Sequence, residues 1–171
     1  YSYEDFVRGY RPGSGANGSF ELRDGPFLKF CKEAAEDPDH YYVFIIDEIN
    51  RGNLSQIFGE LLMLLEGDKR DQRFAVPLMY PRDGEPEFHV PSNVYVLGLM
   101  NIADRSLAMV DYALRRRFGF FTLTPRYEDS MFRDWLTDRG MDPALVELMT
   151  GRMASLNRQI VDVVVRDERL L

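Results

Sequence analysis

The run from Tyr42 to Arg51, YVFIIDEINR, constrains this chain more than any other stretch. Tyr41 to Ile46 is continuously apolar and rich in β-branched and aromatic residues, which reads as a strand buried on both faces of a parallel sheet. Asp47 and Glu48 follow at its carboxyl end, where open α/β sheets bind their ligands. One carboxylate there can hold a metal ion and the other can handle a water molecule. Two solvated acids capping a strand end is the bland alternative, and acid pairs alone are common. The apolar run before the pair and Asn50–Arg51 after it favour a site.

A second stretch repeats the pattern. Val94 to Leu99 reads as another buried strand, and it delivers Met100, Asn101 and, further on, Asp104. If the two strands are neighbours, their polar ends converge on one crevice. A carboxamide offers both a donor and an acceptor, which suits Asn101 to orienting water against a phosphate oxygen. Equally, Asn101 can close a turn and Asp104 can cap the helix expected over Leu107 to Leu114. The third stretch is ALRRRF, Ala113 to Phe118. Arg115, Arg116 and Arg117 are poor core material, and a guanidinium matches phosphate oxygens bidentately. A solvated, salt-bridged helix end is as good an account of any one of them.

Around these stretches the pattern is that of an α/β domain. With 171 residues the chain can build one domain with a real core and part of a second. A net charge of −7 argues against a surface given over to nucleic-acid contacts. Cys31 is the single cysteine, so there is no disulfide framework, and its place on an amphipathic helix reads as a buried inert thiol. No apolar stretch is long enough to span a bilayer and no signal peptide is visible, which predicts a cytoplasmic setting. Arg11 to Phe20 reads as a mobile loop. Asp24 and Pro26 predict a helix start, and Phe27, Leu28, Phe30, Cys31, Ala34 and Ala35 form its apolar face. Asn53 predicts an N-cap for a helix carrying Ile57, Phe58, Leu61, Leu62, Leu64 and Leu65, stopped by Gly67. A hairpin is expected about Arg82, Asp83 and Gly84, and a third strand over Phe118 to Thr124. His40 and His89 lack partners at metal-ligand spacing, and Trp135 reads as helix core with Phe132 and Leu136. After Pro125 helical periodicity takes over, so the expected division is an α/β part at 1–125 and a helical part at 126–171.

The three stretches together resemble the AAA+ nucleotidase superfamily, and within it the McrB-type branch, GTPase subunits of 5-methylcytosine-specific restriction systems. VFIIDEINR is similar to the branch's Walker B segment, MNIADRS (Met100 to Ser106) to its signature motif, with Ile102 where Thr is usual, and VDYALRRRF (Val110 to Phe118) to its arginine-finger region. YSYEDFVRGYRP and the PRYED…FRDWL…RG run also resemble it. The resemblance implies an AAA+ parallel sheet with flanking helices, followed by the start of an all-helical lid. It implies that Asp47 supports Mg²⁺, that Glu48 activates water, and that Asn101 acts as the sensor residue beside Asp104. It makes Arg116 the first choice for a finger reaching a neighbouring subunit, with Arg117 and Arg115 behind it and Arg51 as a further candidate. It also implies GTP, or ATP, as substrate, a hexameric ring, an McrC-like nuclease subunit as partner, and DNA bound through other domains.

Two departures from the family pattern follow from the residues. No G-x-x-x-x-G-K-[ST] occurs, and Gly13 to Phe20 is glycine-rich but has no Lys, and no strand is expected ahead of it. Family members carry the phosphate loop ahead of the position of Tyr1, and more of the lid beyond that of Leu171. The expectation is therefore an excerpt of a larger hydrolase, lacking the first strand and the phosphate loop and binding nucleotide weakly or not at all by itself. A MoxR-like ATPase with a remodelling role, or a ring subunit that never hydrolyses, are the competing readings.

Overall fold

The computed structural model describes residues 1–13, 18–101 and 115–168, with side chains up to residue 163. The chain divides into two compact units, Tyr1–Phe120 and Phe121–Leu171.

The first unit opens with α1 (Tyr3–Phe6), started by a reciprocal cap. Ser2 Oγ accepts the Asp5 N–H at 3.3 Å, and the Asp5 carboxylate accepts the Ser2 N–H at 3.2 Å. Strand β1 (Arg8–Pro12) then pairs antiparallel with β2 (Phe20–Asp24). The loop expected over Arg11 to Phe20 is thus narrower, because Arg11, Pro12 and Phe20 belong to the ladder; residues 14–17 lie outside the described residues. Charge draws the hairpin root inward. Arg8 is fully buried, with Nε 2.7 Å from Asp24 Oδ1, its register partner, and Nη2 2.6 Å from Glu85 Oε1. Nη1 also donates to Glu85 and to the Tyr80 carbonyl (3.1 Å). Lys32 Nζ and Arg82 Nη2 hold Asp24 from outside, at 2.7 and 3.1 Å.

Helix α2 (Pro26–Glu36) begins on Pro26, with Gly25 rather than Asp24 at the cap because Asp24 is engaged by Arg8 and Lys32. Its buried face is Phe27, Leu28, Cys31 and Ala34. Phe27 and Leu28 are each worth about 1.5–3 kcal/mol when fully buried. Strand β3 (Tyr42–Ile46) lies parallel to β4 (Val94–Gly98), with Tyr42 opposite Val94 and Ile46 opposite Gly98. The core packs rings of α1, α2, β3 and the following helix: Phe6–Phe58 at 4.9 Å, Phe27–Phe58 at 5.2 Å and Phe30–Phe44 at 5.1 Å between centroids. Asn93 aligns the two strand starts. Its side-chain amide donates to the carbonyls of Ala34, Asp37 and His40 at 2.9, 3.0 and 2.9 Å, and its own carbonyl accepts the Tyr42 N–H at 2.9 Å.

Several expectations are corrected. β3 is not buried on both faces: Phe44 and Ile46 pack on the core, but Val43 and Ile45 are 52% and 58% exposed, as are Tyr95 and Leu97 at 51% and 48%. Among the described residues nothing covers that second face. The helix after Asn53 is not continuous. α3 (Leu54–Phe58) is capped as expected, with the Gln56 N–H donating to Asn53 Oδ1 at 3.1 Å, but Gly59 takes φ 54° and the chain tightens into 3₁₀ turns over Gly59–Leu65. Glycine permits that φ at no steric cost, and the turns bury Leu61, Leu62, Leu64 and Leu65. The expected hairpin shrinks to one bridge, Val76–Phe88, beyond a turn in which the Glu85 N–H reaches the Arg82 carbonyl at 3.0 Å. Pro77, Pro81 and Pro86 have no N–H to extend a ladder. Phe118–Thr124 forms no strand; Phe121 and Leu123 stand exposed, and a strand needs a partner that the described residues do not offer. The helix expected over Leu107 to Leu114 lies outside the described residues.

The second unit is helical. α4 (Ser130–Asp138) starts on Asp129, which accepts the Met131 N–H at 3.0 Å, and α5 (Pro143–Glu168) starts on Asp142, which accepts the Ala144 N–H at 2.9 Å. Leu136, Val146, Thr150 and Ala154 are buried. Trp135 is not core as expected: it is half-exposed, and the Arg139 guanidinium sits 3.7 Å from its ring centroid. Among the described residues no helix is long and apolar enough to cross a membrane.

Candidate functional site

The ladder between β3 and β4 continues one step past the strands and then skips. The Leu99 N–H donates to the Ile46 carbonyl at 2.8 Å, and the Leu99 carbonyl accepts from Ile49 at 3.0 Å. A regular parallel pair would bring the N–H of residue 48 to that carbonyl. One surplus residue has therefore been let in, which makes Asp47–Glu48 a bulge at the carboxyl end of β3. Glu48 absorbs it with φ 53° and ψ 44°, the only positive φ at a non-glycine position among the described residues. For an L-residue other than glycine this costs about 1–2 kcal/mol. Asp47 Oδ1 accepts the Glu48 N–H at 3.0 Å and so braces the bulge from within.

The bulge lifts both carboxylates clear of the sheet, and both residues are exposed. Arg51, one turn on, places Nε 3.1 Å from Glu48 Oε2. That pair is about half-exposed on each side, so it orients Glu48 more than it stabilises the fold. Asn50 Nδ2 reaches the Asn101 main-chain carbonyl at 3.5 Å and joins the two strand tips. Asp47, Glu48, Arg51 and Asn101 thus share one end of the parallel pair. Asp104 lies outside the described residues.

The three arginines are not equivalent. Arg117 is half-buried, its side chain only 6% exposed, with Nε 3.1 Å from Glu66 Oε1. Glu66 also accepts Lys69 Nζ at 2.6 Å, and the lysine hydrogen bond, helped by Arg117 and Arg116, holds its carboxyl below the usual range. Arg115 and Arg116 are exposed.

Among the described residues no three His, Cys, Asp or Glu side chains cluster as a self-sufficient metal cage. The donors at the strand tips, two exposed carboxylates and an amide residue, fit Mg²⁺ of the kind held by one or two carboxylates, waters and substrate phosphates. Two participants escape a reading of the sequence by residue type, Ile49 and Gly98. A glycine inside the apolar run Val94–Leu99 is the one available signal, since strand glycines mark bulges and close backbone approaches.

A parallel strand pair whose carboxyl ends gather two acids and an amide is the arrangement at which open α/β sheets bind ligands. The family model for the AAA domain (dynein-related subfamily) matches residues 1–118. The chain belongs to the AAA+ family, and within it to the McrB-type branch. It is 52% identical over 161 residues to the type IV methyl-directed restriction enzyme EcoKMcrB subunit of Escherichia coli (strain K12), an alignment covering 94% of this chain and 34% of that protein. It is 29% identical over 110 residues to the type II restriction enzyme BsuMI component YdiS of Bacillus subtilis (strain 168), covering 59% of this chain and 32% of that protein. The chain therefore spans about a third of the length of these curated relatives.

Proposed function

We propose that this chain carries the water-handling part of an AAA+ nucleoside-triphosphatase that serves a modification-dependent restriction system. The observation that carries the reading is the meeting of Asp47 and Glu48 with the Asn101 segment at the same end of two adjacent parallel strands. Likeness to two restriction components supports the biological setting.

In this reading Asp47 supports Mg²⁺, which supplies charge neutralisation to the phosphates when bound. Glu48 accepts hydrogen-bond donation from the attacking water and polarises it toward the terminal phosphorus. Asn101 orients that water, and Asp104 assists in placing it. Arg51 pairs with the Glu48 carboxylate and, in this reading, exchanges it during turnover for a phosphate or a neighbouring subunit's group. The engagement of Arg117 with Glu66 favours Arg116, with Arg115 next, as the finger offered to an adjoining subunit of a hexameric ring. Such a finger is worth about 10³–10⁵ in rate where it operates. GTP is the preferred substrate, with ATP the alternative that a MoxR-like remodelling protein would use. Turnover drives DNA translocation and cleavage with an McrC-like nuclease subunit in the cytoplasm, DNA being bound through other domains. Residues 1–125 are the partial AAA+ α/β core in this reading, and residues 126–171 the start of a helical lid subdomain.

Glu48→Gln in the full-length protein tests the reading. Turnover falls by about 10²–10⁴-fold while nucleotide still binds. Turnover near wild type removes Glu48 from its role. Competition of ATP against GTP in the same assay separates the restriction motor from the remodelling ATPase.

A further inference from the structure

We propose that Gly98 is a positioning residue for Glu48, acting through Ile49. A Cβ placed on Gly98 would lie 2.7 Å from Ile49 Cδ1, 2.9 Å from Cγ2 and 3.3 Å from Cβ. All three contacts come from one side chain, so Ile49 occupies the space that any other residue at position 98 would fill. Ile49 is 8% exposed there, and its N–H is bonded to the Leu99 carbonyl at 3.0 Å. Main chain and side chain of Ile49 are therefore both docked on the end of β4. Ile46 is docked as well, its carbonyl taking the Leu99 N–H at 2.8 Å. Between these two fixed points the chain has one residue too many, and Glu48 takes the left-handed conformation to absorb it.

A side chain at position 98 would push Ile49 off the strand. The surplus residue would then be expelled, Glu48 would return to extended backbone, and its N–H would take over the Leu99 carbonyl. A one-residue slip turns each side chain to the opposite face. The Glu48 carboxylate would leave the Asn101 tip while Asp47 stayed beside its ladder partner.

The inference rests on Glu48 being the carboxylate that handles water, and the experiment separates the two. Steady-state nucleotide turnover with Mg²⁺ is measured in the full-length protein for Gly98→Ala, Ile49→Ala, the double variant and Glu48→Gln, with thermal midpoints alongside. Gly98→Ala should lower kcat by about 10²-fold or more, since a displacement of only about 1 Å already costs about that much, and leave KM unchanged. Gly98→Ala/Ile49→Ala should recover part of the loss, because the new methyl enters the space the isoleucine vacates. In the Glu48→Gln background Gly98→Ala should add nothing. Wild-type kcat in Gly98→Ala beside an inactive Glu48→Gln overturns the positioning role and leaves the functional reading standing. Equal loss in both backgrounds, or a parallel rise in KM, makes Gly98 merely structural. Active Glu48→Gln defeats the underlying reading instead. Should Gly98→Ala fail to fold, Ile49→Ala carries the same test, because releasing Ile49 also frees Glu48: kcat lost at constant KM supports the role, and unchanged kcat ends it.

Discussion

Replacing Arg8 by methionine should be among the most damaging single changes in the first unit. The guanidinium is fully buried and bonded to Asp24, Glu85 and the Tyr80 carbonyl. Methionine keeps much of the side chain's volume and removes the charge. Asp24 and Glu85 are then left close to the interior, Asp24 with Lys32 and Arg82 and Glu85 with little but the Arg82 N–H (3.1 Å) and a distant Lys32 (3.9 Å). Both carboxyls show how strongly the native site favours their charged forms. Burial pushes Asp24 up, but hydrogen bonds from Lys32 and Arg8 outweigh it and bring it from 3.8 to about 2; Arg8 first of all brings Glu85 from 4.5 to about 2. At about 1.4 kcal/mol per pH unit the two depressions amount to about 6 kcal/mol. Arg8 is shared between them and Asp24 keeps other cations, so the loss with Arg8 should be about 3–5 kcal/mol, as for other broken buried pairs. With a urea slope of about 2 kcal/mol/M, the unfolding midpoint of the first unit falls by roughly 2 M. The pH dependence gives a second readout. Folded values lie below unfolded ones, so the stabilisation is present above pH 4.5 and is lost as pH falls toward about 2. Arg8→Met should flatten that acid limb, and Arg8→Met/Glu85→Gln should recover part of the midpoint. A midpoint within error of wild type, or an acid limb of unchanged slope, would refute the reasoning.

The remaining predictions follow from single buried groups. Asn93→Ala removes three hydrogen bonds to the carbonyls of Ala34, Asp37 and His40, between the end of α2 and the start of β3, and should cost about 2–4 kcal/mol, read as a lowered thermal midpoint. Asn93→Asp should be worse, because it sets a carboxylate against the same carbonyls. Burial pushes the Cys31 thiol up to about 12, so a chromogenic disulfide reagent at pH 8 should label it only as fast as the first unit opens. Rapid labelling of native protein would contradict its burial.

Legibility in the sequence followed the range of the interactions. Tyr42–Ile46, Val94–Gly98, the Pro26 helix start, the Asn53 cap and the two helices after Pro125 are encoded by neighbours, through apolar periodicity and capping chemistry. Residues far apart produced the errors. Whether Arg11 and Phe20 are loop or ladder depends on the opposite arm of a hairpin. Whether Val43 and Ile45 are buried depends on what lies over the sheet. The acid pair could be picked out as a site; the bulge that presents it could not.

By itself the sequence determined which residues carry charge and amide chemistry, and that two apolar runs end in them, because alternation and side-chain type are local properties. Only the tertiary structure decided that those runs are parallel neighbours, that Arg117 is spent on Glu66, and that Glu48 is left-handed. Each of these turns on a partner tens of residues away, Leu99 for the ladder, Glu66 for the guanidinium and Gly98 for Ile49. Close packing rather than residue order selects such partners.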